Sequence, residues 1–384
     1  MGEVRVGVVG TGNMGSAHIA MIRSGQVPGM RLTAVCDSNA ERLSAYTDVQ
    51  TFTDSRKLAR SGAVDAIIIA TPHYFHTTTG IDALKAGLHV LVEKPISAHK
   101  ADALRLLAAH TNTQQVFATV LHYRTQPRYA VLRELIQSGQ LGEITRINWI
   151  VTNWFRTQAY YDNGGWRATW KGEGGGVLIN QSLHNLDLWQ WLFGMPVRVR
   201  ALCGIGRHHA IEVEDDVTAT MEYANGATGV FITSTGEAPG TDRLEITAEN
   251  GKVVLENGAI TWTKNLVGQS AFCRTSTEGF AMPPTWNVAI PCHGEGEGHL
   301  VILANFAAAI LRGEPLLAPA EEGIRSVELA NAMLYSSFTG KAVDLPLSAP
   351  AYERLLNRLI ASSTFVKKTV AAPKVVDLSA SFKR

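Results

Sequence analysis

The chain has 384 residues, 46% of them hydrophobic, and its 35 Lys and Arg against 34 Asp and Glu residues give a formal net charge of +1. This length fits about two to three domains. The balanced charge, without a basic stripe or an acidic tail, excludes a nucleic-acid-binding or membrane-surface protein. A transmembrane helix is excluded as well, because no apolar run reaches about 18 residues.

Cysteine usage indicates the compartment. The four cysteines are far apart in the sequence and form neither a C-x-x-C pair nor a disulfide framework, so we expect buried thiols. The N-terminus reads directly into a charged strand and not into a signal peptide. We therefore expect a cytoplasmic protein in a reducing environment.

A glycine-rich turn follows the first apolar run, and a second apolar run ends in an acid, Asp37. A strand, a glycine turn, a helix start and a distal acid together match a dinucleotide-binding βαβ unit. The glycines allow a tight turn, close approach of a pyrophosphate and packing of the helix on the strand, and the helix N-terminus attracts the phosphates. The predicted cofactor-binding residues of this turn are Gly10, Gly12, Asn13, Met14 and Gly15.

Asp37 predicts which dinucleotide binds. Its carboxylate can accept hydrogen bonds from the adenosine ribose and would repel a 2′-phosphate, which favours NAD over NADP. Ser38 beside it leaves NADP possible.

Apolar runs alternate with helical periodicity through the first third of the chain. This alternation predicts an α/β fold that begins with a Rossmann domain over residues 1–123, a doubly wound parallel sheet with helices on both faces. Strands are predicted at 4–9, 31–36, 49–52, 64–71, 88–95 and 115–121, with helices after the glycine turn and at 39–47, 54–60, within 71–87 and at 97–110.

The pattern changes beyond residue 124. Alternating strands with hairpin turns at Asn225-Gly226 and Asn250-Gly251 predict a C-terminal α/β domain, residues 124–345, whose large and mostly antiparallel open sheet is covered on one face by helices. A helix and tail over 346–384 should pack on the body or on a partner subunit. Other predicted elements are helices at 126–138, 176–194, 299–312, 320–338 and 352–362, a strand at 141–153 and a surface loop at 265–298.

Polar side chains follow the predicted parallel strands at their carboxyl ends, where open α/β sheets bind ligands. Among them Lys94 stands out: beside an oxidised nicotinamide its pKa should be lowered, so that it could move a proton. The alternative is an ordinary exposed lysine. The strand-end residues are Thr71, Pro72 and His76 and then Glu93 and Lys94, all predicted to bind the cofactor, followed by Tyr123 and Arg124, predicted to bind substrate.

A second polar set falls in the predicted helix 176–194. Asn180, His184 and Asp187 are spaced i, i+4, i+7, which places them on one helix face. His184 is a natural acid/base because its unperturbed pKa is near neutrality, although a lone helical histidine is often structural. Asp187 could orient it or could make a packing hydrogen bond.

The segment 153–171 is crowded with aromatic and basic residues. Aromatic faces beside hydrogen-bonding groups suit a sugar or cyclitol ring, and a subunit interface has the same composition. No His or Cys set has metal-ligand spacing, and hydride transfer needs no metal, so none is predicted. Predicted substrate contacts here are Trp154, Arg156, Trp166 and Arg167.

Four motifs occur in order: G-T-G-N-M-G, A-T-P-H-Y-F-H, A-G-L-H-V-L-V-E-K-P and G-G-G-V-L-I-N-Q-S-L-H-N-L-D. Their order resembles the Gfo/Idh/MocA family (glucose–fructose oxidoreductase, inositol dehydrogenase, rhizopine catabolism). The resemblance implies NAD(P)-dependent hydride transfer with a sugar, glycoside or cyclitol, proton transfer by Lys94 and His184, and a homodimer or homotetramer formed through the C-terminal sheet. Many members carry Asp at the position of Asn180. Asn cannot take a proton, so we expect Asn180 to bind a substrate hydroxyl.

Two alternatives remain open. One is a dinucleotide-binding regulator without turnover. The other is a dehydrogenase of the same fold that acts on a nucleotide sugar, a 3-keto glycoside or a non-sugar alcohol. Arg156, Arg167 and Lys171 could supply the basic patch that a nucleotide sugar needs.

Overall fold

The computed structural model describes residues 2–163, 165–294 and 296–367; the rest of the predicted tail, 368–384, lies outside them. Its first elements are β1 Val4–Val9, α1 Asn13–Arg23, β2 Met30–Cys36, β3 Gln50–Phe52, α2 Ser55–Ala59, β4 Ala66–Ile69, α3 His73–Lys85, β5 His89–Val92, α4 Lys100–Ala108 and β6 Phe117–Thr119. The six strands form one sheet, all parallel, in the order β3-β2-β1-β4-β5-β6. This is the strand order of doubly wound dinucleotide-binding sheets, so the predicted Rossmann fold is confirmed.

Burial explains why these strands read as continuous apolar runs. Helices cover both faces of a parallel sheet, so side chains pointing either way are removed from water. Consecutive residues in the central strand β4 show this directly, since Ile67, Ile68 and Ile69 are all fully buried. The carboxyl ends of β1, β4 and β5 consequently meet at one edge, which is where the predicted site residues lie.

The elements that follow are α5 Pro127–Gln137, β7 Ile144–Val151, α6 Gln158–Asp162, α7 Leu183–Phe193, β8 Arg198–Ile205, β9 Glu214–Glu222, β10 Thr228–Ser234, β11 Asp242–Ala248, β12 Gly251–Glu256, β13 Ala259–Asn265, α8 Gln269–Thr275, β14 Thr285–Ile290, α9 His299–Arg312, α10 Ala320–Thr339, β15 Val343–Asp344 and α11 Ala349–Ser362. Their nine strands form a second sheet in the order β14-β13-β12-β11-β7-β10-β9-β8-β15, and among them only β7 and β10 pair in parallel. The helix α10 packs on β8 and α7. The predicted mostly antiparallel sheet and both hairpin turns are confirmed.

Three predicted elements were wrong, and the third, the helix at 176–194, is described with the site below. The helix expected at 39–47 is only a 3-10 turn, Ala40–Leu43, because the Asn39 side chain accepts from the Glu41 N–H and closes a tight local turn. The surface loop expected at 265–298 contains α8 and the edge strand β14. Its Gly and Pro residues concealed the short alternation of Thr285–Ile290, which pairs with β13.

The helix α9 returns to the first sheet. Its buried face, Ile302, Leu303 and Phe306, packs in one apolar cluster with Val4 and Val6 of β1. The predicted domain limits place this helix in the second domain, and those limits stay a prediction. Within the described ranges, none of the helices is both long enough and apolar enough to cross a membrane.

Candidate active site

The glycine turn after β1 leaves no room for a side chain at Gly10 or at Gly15. Gly10 has φ of +91°, and a Cβ there would lie 2.6 Å from the carbonyl oxygen of Ala70. A Cβ on Gly15 would lie 1.7 Å from the carbonyl oxygen of Gly10. Gly12 caps α1 without a side chain, and the first turn, Asn13 to Gly15, contains no acid. Open N–H groups in a cradle of this shape fit a pyrophosphate.

Asp37 lies at the end of β2 beside that turn. Its Oδ2 accepts from the Thr11 N–H and Oγ1, each at 2.9 Å, and its Oδ1 accepts from the Asn39 N–H at 2.9 Å. Burial opposes ionisation, but these hydrogen bonds and Arg42 outweigh it and lower the pKa of Asp37. The carboxylate is therefore ionised, and the Arg42 Nη1 lies 3.7 Å from it.

The strand-end loops after β4 and β5 are tied together by His76. Its ring nitrogens lie 2.7 Å from the carbonyl oxygen of Thr71 and 2.7 Å from that of Pro95. Pro72 caps α3 between them. This places the predicted cofactor loop in fixed contact with the turn that carries Lys94.

Glu93 is buried and does not point to solvent. Its Oε1 accepts from the His18 Nε2 at 2.7 Å, and its Oε2 accepts from the Lys94 N–H at 3.1 Å. Burial raises the pKa of Glu93, but the hydrogen bond and charge of His18 outweigh it and bring the pKa to about 2. Glu93 thus fixes the backbone of Lys94 against α1.

The segment before α7 is not helical, which corrects the predicted helix 176–194. The Glu214 Oε1 accepts from the Gly176 N–H at 2.8 Å and from the Leu178 N–H at 3.1 Å, so these groups are withdrawn from a helix. The helix begins only at Leu183. Asn180 therefore lies in a turn ahead of it and does not share a helix face with His184 and Asp187.

The turn brings Asn180 to Lys94. The Lys94 Nζ donates to the Asn180 carbonyl oxygen at 3.0 Å and lies 3.4 Å from its Oδ1. Burial, with the charges of Arg167 and Arg156, lowers the pKa of Lys94 to about 8. An amine with that pKa exchanges a proton readily near neutral pH.

His184 is buried and stacks on Tyr123, with ring centroids 4.6 Å apart. Burial and the charge of Lys94 lower the pKa of His184 well below its usual value, so the ring is neutral at pH 7. Its Nδ1 has no hydrogen-bond partner among the described residues. The neutral imidazole can form a hydrogen bond with a hydroxyl, but burial and the charge of Lys94 make it a weaker base than a free histidine.

Arg124 and Asp187 are engaged with each other. The Arg124 Nε and Nη2 donate to the two Asp187 oxygens at 2.8 and 2.6 Å, and both side chains are at most 2% exposed. Arg124 also pairs with Glu322. Asp187 therefore does not reach His184, and the geometry gives this pair a structural role between α7 and α10.

The aromatic segment gathers around Tyr160. The guanidinium carbons of Arg156 and Arg167 each lie 5.2 Å from its ring centroid. Trp166 lies 5.2 Å from the ring of His73, beside the cofactor loop. Trp154 is buried and donates to Asn185 at 3.3 Å, so its indole packs in the core. Both arginines act on Lys94, which places their charge near the site.

Two family models match the chain. One, described as an oxidoreductase family with an NAD-binding Rossmann fold, matches residues 4–122, and the other, the GFO/IDH/MocA C-terminal domain, matches residues 129–254. The chain belongs to the Gfo/Idh/MocA oxidoreductase family. Its first domain is an NAD-binding Rossmann domain, which confirms the cofactor predicted from the glycine turn.

Individual Gfo/Idh/MocA proteins match to different extents. Inositol 2-dehydrogenase of Corynebacterium glutamicum is 31% identical over 201 residues, 51% of this chain and 56% of that protein, so the chain spans about half the length of that relative. Inositol 2-dehydrogenase 2 of Paenarthrobacter aurescens is 26% identical over 87% of this chain and 96% of its own. The WlbA dehydrogenase of Bordetella pertussis, solved with NADH and UDP-GlcNAcA, is 26% identical with a TM-score of 0.76, covering 90% of this chain and 100% of that one.

Three residues of this Gfo/Idh/MocA site were not predicted from the sequence. His18 follows Gly15 by one helical turn, and this spacing could have indicated that it faces the E-K-P segment. Arg42, near Asp37, was concealed by the wrong helix at 39–47. Glu173, which hydrogen-bonds Asn180, lies in a segment without periodicity, so no pattern indicated it. In the described ranges, no three His, Cys, Asp or Glu side chains could hold a metal ion.

Proposed function

We propose that this protein is an NAD-dependent dehydrogenase that transfers hydride between nicotinamide and a CH–OH carbon of a sugar, glycoside or cyclitol. The observation that carries the proposal is the position of Lys94. Its ammonium, with a pKa of about 8, hydrogen-bonds to Asn180 at the edge of the parallel sheet that also carries the glycine cradle. This position supports the proposal, because an amine with that pKa next to the cofactor edge of the sheet has the chemistry of a proton-transfer group.

Each residue of the site has a separate role in the proposed reaction. NAD supplies the hydride acceptor when bound, held by the glycine turn, Asp37 and the loop of Thr71 and Pro72. Lys94 in its neutral form takes the single hydroxyl proton during oxidation, and in its protonated form returns it during reduction. His184, which is neutral, forms the pair with Lys94 by hydrogen-bonding to the same substrate oxygen. The Asn180 amide presents polar atoms to a second hydroxyl.

A more specific substrate class is favoured by the two arginines. Arg156 and Arg167 share the face of Tyr160 near Lys94, and Arg167 has no carboxylate ion-pair partner among the described residues. A site with this positive charge suits a sugar that carries a carboxylate or a phosphate. WlbA, a relative over most of the chain, was solved with a nucleotide sugar acid. We propose an anionic sugar as the second candidate substrate.

A substrate screen tests both candidates. The purified protein is incubated with NAD+ or NADP+ and with cyclitols, free aldoses, glycosides, uronic acids and nucleotide sugars, and formation of the reduced cofactor is followed by absorbance. We expect turnover with NAD+ in at least one class. Arg167→Gln should raise the KM for uronic acids and nucleotide sugars by about tenfold and should leave the KM for neutral sugars and cyclitols unchanged. Tight NADH binding without turnover of any class would support a regulator instead.

Cofactor choice gives a separate prediction. Asp37→Ser removes the charge that repels a 2′-phosphate and leaves Arg42 free to pair with that phosphate. We expect the Kd for NADPH relative to NADH to fall by about tenfold or more, measured by cofactor fluorescence. Adding Arg42→Ala to the same variant should abolish the gain. Wild-type protein that binds NADPH more tightly than NADH would contradict the role of Asp37.

The open sheet supplies a surface for assembly. Its strand β8 exposes Leu202 (75%) and Ile205 (40%). We propose that this sheet pairs subunits into a homodimer or homotetramer. A cytoplasmic location stays a prediction.

A further inference from the structure

A buried carboxylate lies next to the proposed proton-transfer group and has no part in the chemistry above. Glu173 is 2% exposed. Its Oε2 accepts from the Ala168 N–H at 2.6 Å, and its Oε1 accepts from the Asn180 Nδ2. Ala168 has φ of 55°, a conformation that costs free energy for a residue with a side chain. The backbone is held in this state with its N–H directed at Glu173.

The chain around Glu173 is fixed on both sides. A Cβ on Gly172 would lie 2.2 Å from the carbonyl oxygen of Trp166, and Gly174 has φ of +87°. The Glu173 carbonyl oxygen lies 3.0 Å from the His73 Nδ1 at the start of α3. Burial lowers the pKa of His73, so the ring is neutral, and its N–H donates to this carbonyl. Glu173 is thus anchored to the loop that would contact the cofactor.

Asn180 joins Glu173 to Lys94. One end of its amide, Nδ2, donates to the carboxylate, and the other end, Oδ1, faces the Lys94 Nζ at 3.4 Å. A carboxylate accepts hydrogen bonds and does not donate them. It therefore fixes which end of the amide faces Lys94, and its negative charge lies one side chain beyond the position where many family members have an acid.

We propose that Glu173 is a positioning residue for this reaction: it supplies, through the Asn180 amide, the negative charge that Asn180 itself lacks, and it holds the Asn180 oxygen toward Lys94. The assignment rests on the proposed function, since Lys94 is the group that is positioned. The assignment also accounts for Asn180 in place of the Asp that many family members carry, because the amide next to Lys94 is hydrogen-bonded to the Glu173 carboxylate.

The charges around Glu173 agree with this role. Three cations act on it or are acted on by it: Lys94, Arg167 and Lys367. The Glu214 carboxyl and the Tyr161 phenol also interact with it. Burial raises the pKa of Glu173, against the effect of Arg167 and its hydrogen bonds. Burial lowers the pKa of Lys94, and the Glu93 carboxylate first and the Glu173 carboxylate second raise it. Removing the Glu173 carboxylate should therefore lower the pKa of Lys94 further.

The test measures the ionisation of Lys94 directly. Full-length protein without substrate is acetylated with limiting acetic anhydride across a pH series, and modification of Lys94 is quantified by mass spectrometry. We expect the labelling midpoint of Glu173→Gln to fall by about one pH unit and that of Asn180→Asp to rise. The double variant Asn180→Asp, Glu173→Gln restores a single carboxylate, and its midpoint should return to within about 0.3 units of wild type.

Glu212→Gln is the matched control. The Glu212 Oε1 accepts from the Trp170 N–H at 2.9 Å in the same segment, without contact to Asn180. Its labelling midpoint should equal that of wild type. A Glu173→Gln midpoint equal to wild type, or a double variant no nearer to wild type than its parents, overturns the proposal. If Glu173→Gln does not fold, the Lys94 labelling midpoints of Asn180→Asp and of the double variant still test the proposal.

Turnover separates this proposal from the proposed function. With an active substrate, the pH dependence of kcat/KM should move in the same direction as the labelling midpoint in each variant. The labelling result needs no substrate. Shifted midpoints in a protein that oxidises nothing would reject the dehydrogenase activity and support the link between Glu173 and Lys94.

Discussion

Lys94→Met is expected to reduce turnover by about 10²- to 10⁴-fold, the usual contribution of a positioned acid/base group. Methionine keeps the length and apolar stem of the side chain but cannot hold or move a proton. The Asn180 carbonyl loses a donor, while the glycine cradle and Asp37 are untouched. NADH affinity should therefore stay within about threefold of wild type, and steady-state rates with the best substrate of the screen measure the loss.

The pH dependence of kcat/KM tests whether Lys94 is the proton-transfer group. Lys94 has a pKa of about 8 because burial disfavours its charged form. Oxidation needs the neutral form of Lys94, which can accept a proton, so kcat/KM for oxidation should rise as the pH rises through about 8. The kcat/KM for the reverse reduction, which needs protonated Lys94, should fall over the same range. The limb near pH 8 should disappear in Lys94→Met.

Lys85→Met is the control for removing a lysine from the same domain, since Lys85 is exposed at the end of α3. It should keep wild-type rates and the wild-type pH profile. If Lys94→Met also turned over at the wild-type rate, Lys94 would have no role in proton transfer.

Arg124→Gln is expected to lower the free energy of unfolding by about 3–5 kcal/mol, because it leaves Asp187 as an unpaired buried charge. Arg124 donates two hydrogen bonds to that carboxylate and forms a further ion pair with Glu322, whereas the neutral Gln190 amide donates one hydrogen bond to Asp187 at 2.9 Å. Urea unfolding followed by fluorescence measures the change.

The exposed Arg105 ion pairs provide a comparison for the stability effect of Arg124→Gln. Arg105 bonds Asp102 and Glu353 with about half of its side chain exposed, so Arg105→Gln should cost no more than about 1 kcal/mol. Should Arg124→Gln keep wild-type stability and change only KM, Arg124 would contact the substrate as the sequence predicts.

The fold was predictable because its signals are local. Short apolar runs such as Ala66–Ile69, alternating with helical segments, indicate strands buried on both faces, and the spacing from Gly10 to Asp37 identifies a cofactor turn. Asn225-Gly226 and Asn250-Gly251 mark hairpins through their own backbone preferences. Each of these features is decided by residues close together in the chain.

The site was only partly predictable because distant residues decide its geometry. Gly176 to Asn180 has the composition of a helix start, but Glu214, on a strand of the second sheet, accepts from the N–H groups of Gly176 and Leu178. The ion-pair partner of Asp187 is Arg124, 63 residues away, and not His184 on the preceding turn. Spacing along one helix cannot reveal either choice, since both depend on long-range pairing.

The helix α9 packs on the first sheet, although it lies far from that sheet in the sequence. Ile302, Leu303 and Phe306 complete the apolar layer over Val4 and Val6, so a fragment that stops at residue 123 exposes this layer to water. Residues 299–312 are part of the folding unit of the dinucleotide-binding half. An exchange of cofactor domains between relatives would have to carry this helix along with the N-terminal segment.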